Sequence, residues 1–94
     1  MAGNRNNVGR VIQIVGSTLD AEFADESLPA LYSALSVDVE RTVLGQIEKE
    51  VLWCEVAQHL GGGRVRAIAL GSTDGLQRNA TITDLGRPVS VPVG

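Results

Sequence analysis

A chain of 94 residues makes one small domain, which on folding hides only about 60 to 65% of the surface that the unfolded chain exposes. Its composition, 44% hydrophobic and 20% charged, is that of a globular protein, and with Phe23, Tyr32 and Trp53 as the only aromatics the core has to come from Val, Ile, Leu and Ala. A net charge of -3 provides no basic face for phosphates and three aromatics make no base-stacking platform, which excludes nucleic acid as a partner.

Met1 to Asn7 is polar and without periodicity, and reads as a disordered lead-in to a domain spanning residues 8–94. It has no apolar h-region and is too short for an organelle transit peptide. Val8 to Val15 is a β-branched, apolar run closed by Gly16-Ser17. Leu19, Ala21 and Phe23 then alternate with Asp20 and Glu22, the pattern of a strand with one apolar and one acidic face. Ala24 to Ser33 contains Leu28-Pro29 and reads as a connection with room for a single helical turn. Alternation resumes with Leu35, Val37 and Val39 opposite Ser36, Asp38 and Glu40.

Arg41 to Glu50 supports two readings, since Val43, Leu44, Ile47 and Val51 fit a helical stripe and also a ragged hairpin. Leu52, Cys54 and Val56 form the next inward set, Gly61-Gly62-Gly63 marks a tight turn, and Val65, Ala67 and Ala69 continue inward, so 51–59 and 64–70 read as a hairpin. Gly71 to Gly75 is a dense turn signal, Ala80 to Thr83 a short strand, Gly86-Arg87-Pro88 another turn, and Val89, Val91 and Val93 alternate once more. Short strands every 8 to 12 residues or so, with no long helix, predict an all-β domain, a small closed barrel that hides its strand edges.

The groups able to carry chemistry are few. Gly61-Gly62-Gly63-Arg64 lacks the following Lys and Ser/Thr of a phosphate-binding loop, and the single lysine, Lys49, lies upstream of it. Cys54, the only cysteine, excludes an internal disulfide and gives no sign of an oxidising compartment. It stands an odd number of residues from His59, so one extended strand turns the two side chains to opposite faces and, without a bulge, they cannot act as nucleophile and base. Cys54 reads as a core residue, His59 as a surface or interface residue, and one of each makes a poor metal site. Ser72, Thr73 and Asp74 beside glycines are the residues of a side-chain-capped turn. Asp20, Glu22, Asp38 and Glu40 read as solvated faces, with Arg64, Arg66 and Arg78 available for ion pairs with such carboxylates across a subunit contact. These residues provide no catalytic, cofactor-binding or metal site. No run reaches the roughly 18 apolar residues of a membrane span, so membrane association has to come through partners and not by direct contact.

Gly9-Arg10-Val11-Ile12-Gln13-Ile14-Val15-Gly16, Leu19 to Phe23, Leu28 to Leu35, Glu55 to Gly61, Val65 to Leu76 and Gly86 to Gly94 together, in this order and spacing, resemble the N-terminal β-barrel of the β subunit of F-type ATP synthases. The resemblance implies a six-stranded barrel that alternates with α-subunit barrels in the crown of a catalytic hexamer. It also implies that the P-loop and the rest of the ATP and Mg site lie in a nucleotide-binding domain beyond Gly94. On this resemblance the parent subunit is expected to be an ion-transporting ATPase, with residues 1–94 alone binding no cofactor and catalysing nothing. The implied setting is peripheral, at the cytoplasmic face of a bacterial inner membrane, with plastid and mitochondrial counterparts. Three departures stand out: Gly16-Ser17 where Gly-Pro is usual, Asn79 for a common glycine, and the unusual 41–50 segment with Trp53 after it. Competing readings are the matching barrel of a sister subunit or related export ATPase, an independent adaptor barrel, and a freestanding enzyme using Cys54 or His59.

Overall fold

The structure, a computed structural model, describes residues 7–24 and 28–88. Its strands are β1 (Asn7–Val15), β2 (Thr18–Glu22), β3 (Ser33–Val43), β4 (Gln46–Gly61), β5 (Arg64–Ala69) and β6 (Thr81–Pro88). They form a closed antiparallel barrel in the order β1-β2-β5-β4-β3-β6, with β6 returning to β1. This is the small closed all-β barrel that the alternation predicts, with the six strands that the resemblance implies.

Closure follows from the period of the side chains. Leu19 and Ala21 on β2, Leu35, Val37 and Val39 on β3, Leu52, Cys54 and Val56 on β4, and Val65, Ala67 and Ala69 on β5 all point inward and are buried, with Val11 and Ile82 completing the wall. Small and branched side chains mix round the wall, with Ala21, Ala67 and Ala69 among the larger Leu and Val residues. Phe23 covers one end of this core by lying across Gly9. A Cβ at residue 9 would be 2.8 Å from Phe23 Cδ2 and would run into the Glu22 carbonyl, so the glycine makes the seat for the ring.

The connections correct the sequence reading at two places and decide it at a third. No helical turn forms among the described residues of 24–33; Leu31 and Tyr32 make a turn, Tyr32 takes φ +70°, and its N–H donates to Val56 O at 2.9 Å. Gly86-Arg87-Pro88 is not a turn between strands but the end of β6. The turn chemistry is present, with Gly86 N donating to Asp84 Oδ1 at 2.9 Å, yet it is absorbed as a bulge, because β6 pairs Asp84 with Leu35 and Pro88 with Ser33. Arg41 to Glu50 is a hairpin and not a helix, and it reaches well past the barrel rim. The predicted alternation at Val89, Val91 and Val93 and most of the lead-in lie outside the described residues, although Asn7 already belongs to β1.

That hairpin is the longest feature of the fold. β3 and β4 pair without interruption from Ala34↔Glu55 to Val43↔Gln46, and Leu44-Gly45 form a two-residue loop with φ of +53° and +81°. Positive φ at both loop positions is the type I′ geometry that matches strand twist. Val39 is the last buried residue before the tip, so the tip stands about 17 Å beyond it at the usual rise per residue.

Candidate functional site

The thiol, the imidazole and the turn hydroxyls singled out for chemistry are all committed within the barrel. Gly62 and Gly63 turn the chain from β4 into β5, with Gly61 opposite Arg64, and Gly63 O accepts from Phe23 N at 2.7 Å; a strand and not a helix follows, so no helix N-terminus faces the loop. Cys54 is fully buried, and burial pushes its thiol up to about 12. A thiol that holds its proton through neutral pH is no nucleophile. His59 lies outside, its Nε2 2.7 Å from Pro29 O, where it pins the connection between β2 and β3 to β4. The two bulges of β4, at Val56/Gln58 and His59/Gly61, do not bring His59 round to Cys54.

The hydroxyls of the 72–74 turn are also committed. Ser72 Oγ accepts from Asp74 N at 3.1 Å and Thr73 Oγ1 donates to Gly16 O at 3.1 Å, which fastens the loop after β5 to the turn between β1 and β2. Among the carboxylates, Asp20 receives both Arg66 Nε at 2.9 Å and Arg66 Nη2 at 3.3 Å, and Glu22 lies 3.4 Å from Arg10. Donation to the Asp20 carboxylate, and then the charge of that carboxylate, raise the Arg66 pKa above its usual value. Arg66 is therefore spent within the barrel, not across a subunit contact as the sequence suggested. Among the described residues no group of three His, Cys, Asp or Glu is placed to hold a metal.

What remains available is surface. Outside β4, Ile47, Val51 and Trp53 are 70%, 50% and 46% exposed, and half-exposed Leu70 joins them because its N–H donates to Trp53 O at 2.8 Å. This apolar row runs about 20 Å from the hairpin to the barrel wall and borders a cleft of about 690 Å³ whose other walls include Leu85, Arg87 and Pro88. A second cleft, of about 410 Å³, is polar, with Asp38, Glu40, Lys49 and Arg78 around it. On the hairpin's inner side Arg41 ties the strands down: Nη2 donates to Ser72 O at 2.9 Å, and Nε is 2.5 Å from Glu50 Oε1 as an ion pair, its N–H turned off the line to the carboxylate. The sequence held a trace of this surface in β4, where Val51-Leu52 and Trp53-Cys54 are apolar on both faces, against the one-sided alternation of β2 and β3.

Residues 11–86 match the family model of the ATP synthase alpha/beta family, beta-barrel domain. The chain belongs to that family. The match spans the described barrel from Val11 in β1 to Gly86 in β6 and includes the whole 41–50 hairpin. Proteins of the ATP synthase alpha/beta family are subunits of an enzyme that is a membrane-associated complex, and they assemble with other ATP synthase subunits.

Proposed function

We propose that this chain is the N-terminal crown barrel of a β subunit of an F-type ATP synthase. In this reading it alternates with α-subunit barrels and precedes a nucleotide-binding domain that carries the ATP and Mg site. The subunit sits on the cytoplasmic face of a bacterial inner membrane, and its enzyme makes ATP from a transmembrane ion gradient. The observation that carries the reading is the family match over a closed barrel whose thiol is sealed and whose imidazole and 72–73 hydroxyls tie segments together. The Leu70-Gly71-Ser72-Thr73-Asp74-Gly75-Leu76 stretch, similar to β subunits, supports β over the sister subunit and over export ATPases.

The work of such a barrel is mechanical. Strands bonded on both sides cannot shear past one another without breaking ladder bonds, so a ring of closed barrels is a stiff collar for moving domains attached to it. The test is to read the gene past codon 94 and to purify the native complex. A strand, a Gly-rich loop ending in Lys-Thr or Lys-Ser and a helix in the same frame, with α subunits co-purifying, are expected. A stop codon directly after Gly94 together with a partner unrelated to ATP synthase would replace this reading with an adaptor barrel.

A further inference from the structure

The wall of the barrel is bonded on both sides, but the hairpin that rises from it is not. From Ile47 to Val51, β4 has β3 on one side and, among the described residues, no strand on the other, since its pairing with β5 starts only at Cys54↔Ala69. The direction of the free backbone groups follows from two hydrogen bonds. Trp53 O points to the β5 side, where it accepts from Leu70 N, and Val56 O points to the β3 side, where it accepts from Tyr32 N. Alternate residues of a strand turn their N–H and C=O the same way, so Ile47, Lys49 and Val51 present theirs to the open edge while Glu48 and Glu50 bond to β3. The hairpin's other edge is treated differently. Gly75 packs so closely there that a Cβ on it would lie 2.5 Å from Glu40 O.

An open edge beside an apolar row is a template for another strand, and proteins that do not use one blunt it with proline, bulges or charges. This edge carries no proline or bulge; of its three charged residues, Glu48 and Glu50 turn to the hairpin's inner side, where Glu50 pairs with Arg41, and Lys49 alone stands between Ile47 and Val51. We propose that it is a docking site, at which an extended segment of a neighbouring ATP synthase subunit adds a strand to β4 alongside Ile47–Val51. The inference rests on the assembly of this chain into that complex. Main-chain hydrogen bonds supply the attachment and alternate side chains the selection. The incoming segment is apolar where it meets Ile47, Val51 and Trp53 and carries a carboxylate opposite Lys49. A second copy of this chain does not fit, because a two-fold axis through the middle of the edge sets Glu48, Lys49 or Glu50 against itself. Arg41 holds the hairpin from its inner side, so the edge is presented in a fixed position before a partner arrives.

The test uses the assembled complex. Ile47→Cys is labelled with a photo-activatable maleimide, which spares the buried Cys54 thiol, and the cross-linked peptide is identified by mass spectrometry. One extended segment of a neighbouring subunit is expected, and its yield should fall about tenfold with Lys49→Glu, which keeps the backbone intact, and with Lys49→Pro, which removes an edge N–H and fixes φ at a position where β4 gives no bond to β3. Cross-links to another copy of this chain, none at all in an assembled complex, or yields unchanged in both variants would each overturn the docking site and leave the assembly intact. A chain that never co-purifies with ATP synthase subunits, seen before any label is added, would overturn both.

Discussion

Gly75→Ala is expected to cost about three times as much stability as Gly16→Ala, and the difference measures how firmly the loop after β5 clamps the hairpin. Both glycines have left-handed backbones, with φ of +85° at Gly75 and +59° at Gly16. A Cβ at Gly16 meets nothing within 4 Å, so alanine there pays only the conformational penalty, about 1 kcal/mol. At Gly75 the same Cβ would sit 2.5 Å from Glu40 O and 3.1 Å from Val39 Cγ1. The nearer atom belongs to a strand backbone that cannot swing aside, which adds an overpacking cost of about 2 kcal/mol. Urea unfolding of the 94-residue chain should show both midpoints lowered at unchanged slope, with Gly75→Ala lower by the larger amount. In Gly75→Ala the amide hydrogens of Arg41 and Glu48 should also exchange faster, since the loop that carries Ser72 O is pushed off β3. Equal losses in the two variants would refute the close approach and with it the account of the hairpin as a clamped element.

Leu44 is 98% exposed at φ +53°, where Asn is far better tolerated, so Leu44→Asn should stabilise the chain by about 1 kcal/mol and raise its melting temperature by about 4 to 8 °C; an unchanged melt would argue against the type I′ loop. Cys54 gives a pH signature. Its folded pKa is raised from 9.0 to about 12, so its contribution is complete below pH 9 and is lost as pH rises towards 12, at up to about 1.4 kcal/mol per pH unit. The stability profile should therefore fall more steeply over that window than that of Cys54→Ala, and parallel profiles would count against the burial. His59→Ala, which frees Pro29 O, should cost about 1 kcal/mol in urea unfolding and leave the Tyr32 amide, bonded to Val56 O, less protected; full protection would mean that the imidazole does not hold the connection.

Where one face of a strand is buried, its alternation could be read directly. Leu19, Ala21 and Phe23, or Leu35, Val37 and Val39, announce their inward direction because a slip of one residue would expose all of them. The segment from Arg41 to Val51 had no such guide. Beyond the rim nothing is buried on either side, so the period that separates helix from strand is absent, and only the I′ loop and an uninterrupted ladder to β3 fix the conformation. Gly86-Arg87-Pro88 misled for a different reason: an Asp-capped glycine looks the same in sequence whether it reverses the chain or bulges a strand, and the choice was made by the partner, Ser33 and Leu35 of β3. The fate of Arg66 was hidden too, since Asp20 lies 46 residues away and meets it only through the β2–β5 register.

The inward and outward faces of this chain answer to different demands. Closure uses nearly every second side chain for the core and then draws in the groups that sequence alone marks as reactive, so the thiol at Cys54 is sealed and His59, Ser72 and Thr73 become ties between segments. A barrel built this way keeps its shape when neighbours push on it, and whatever distinguishes it from another barrel has to be carried outside. The β3–β4 hairpin does so asymmetrically: its inner face and its β3 edge are held by Arg41, Ser72 O and Gly75, while its β4 edge and the row of Ile47, Val51 and Trp53 are left to solvent. Had both edges been open the hairpin would need ordering at each encounter, and had both been closed it would have nothing to bind with. One closed edge and one open edge give a strand that is ordered in advance and still able to accept another.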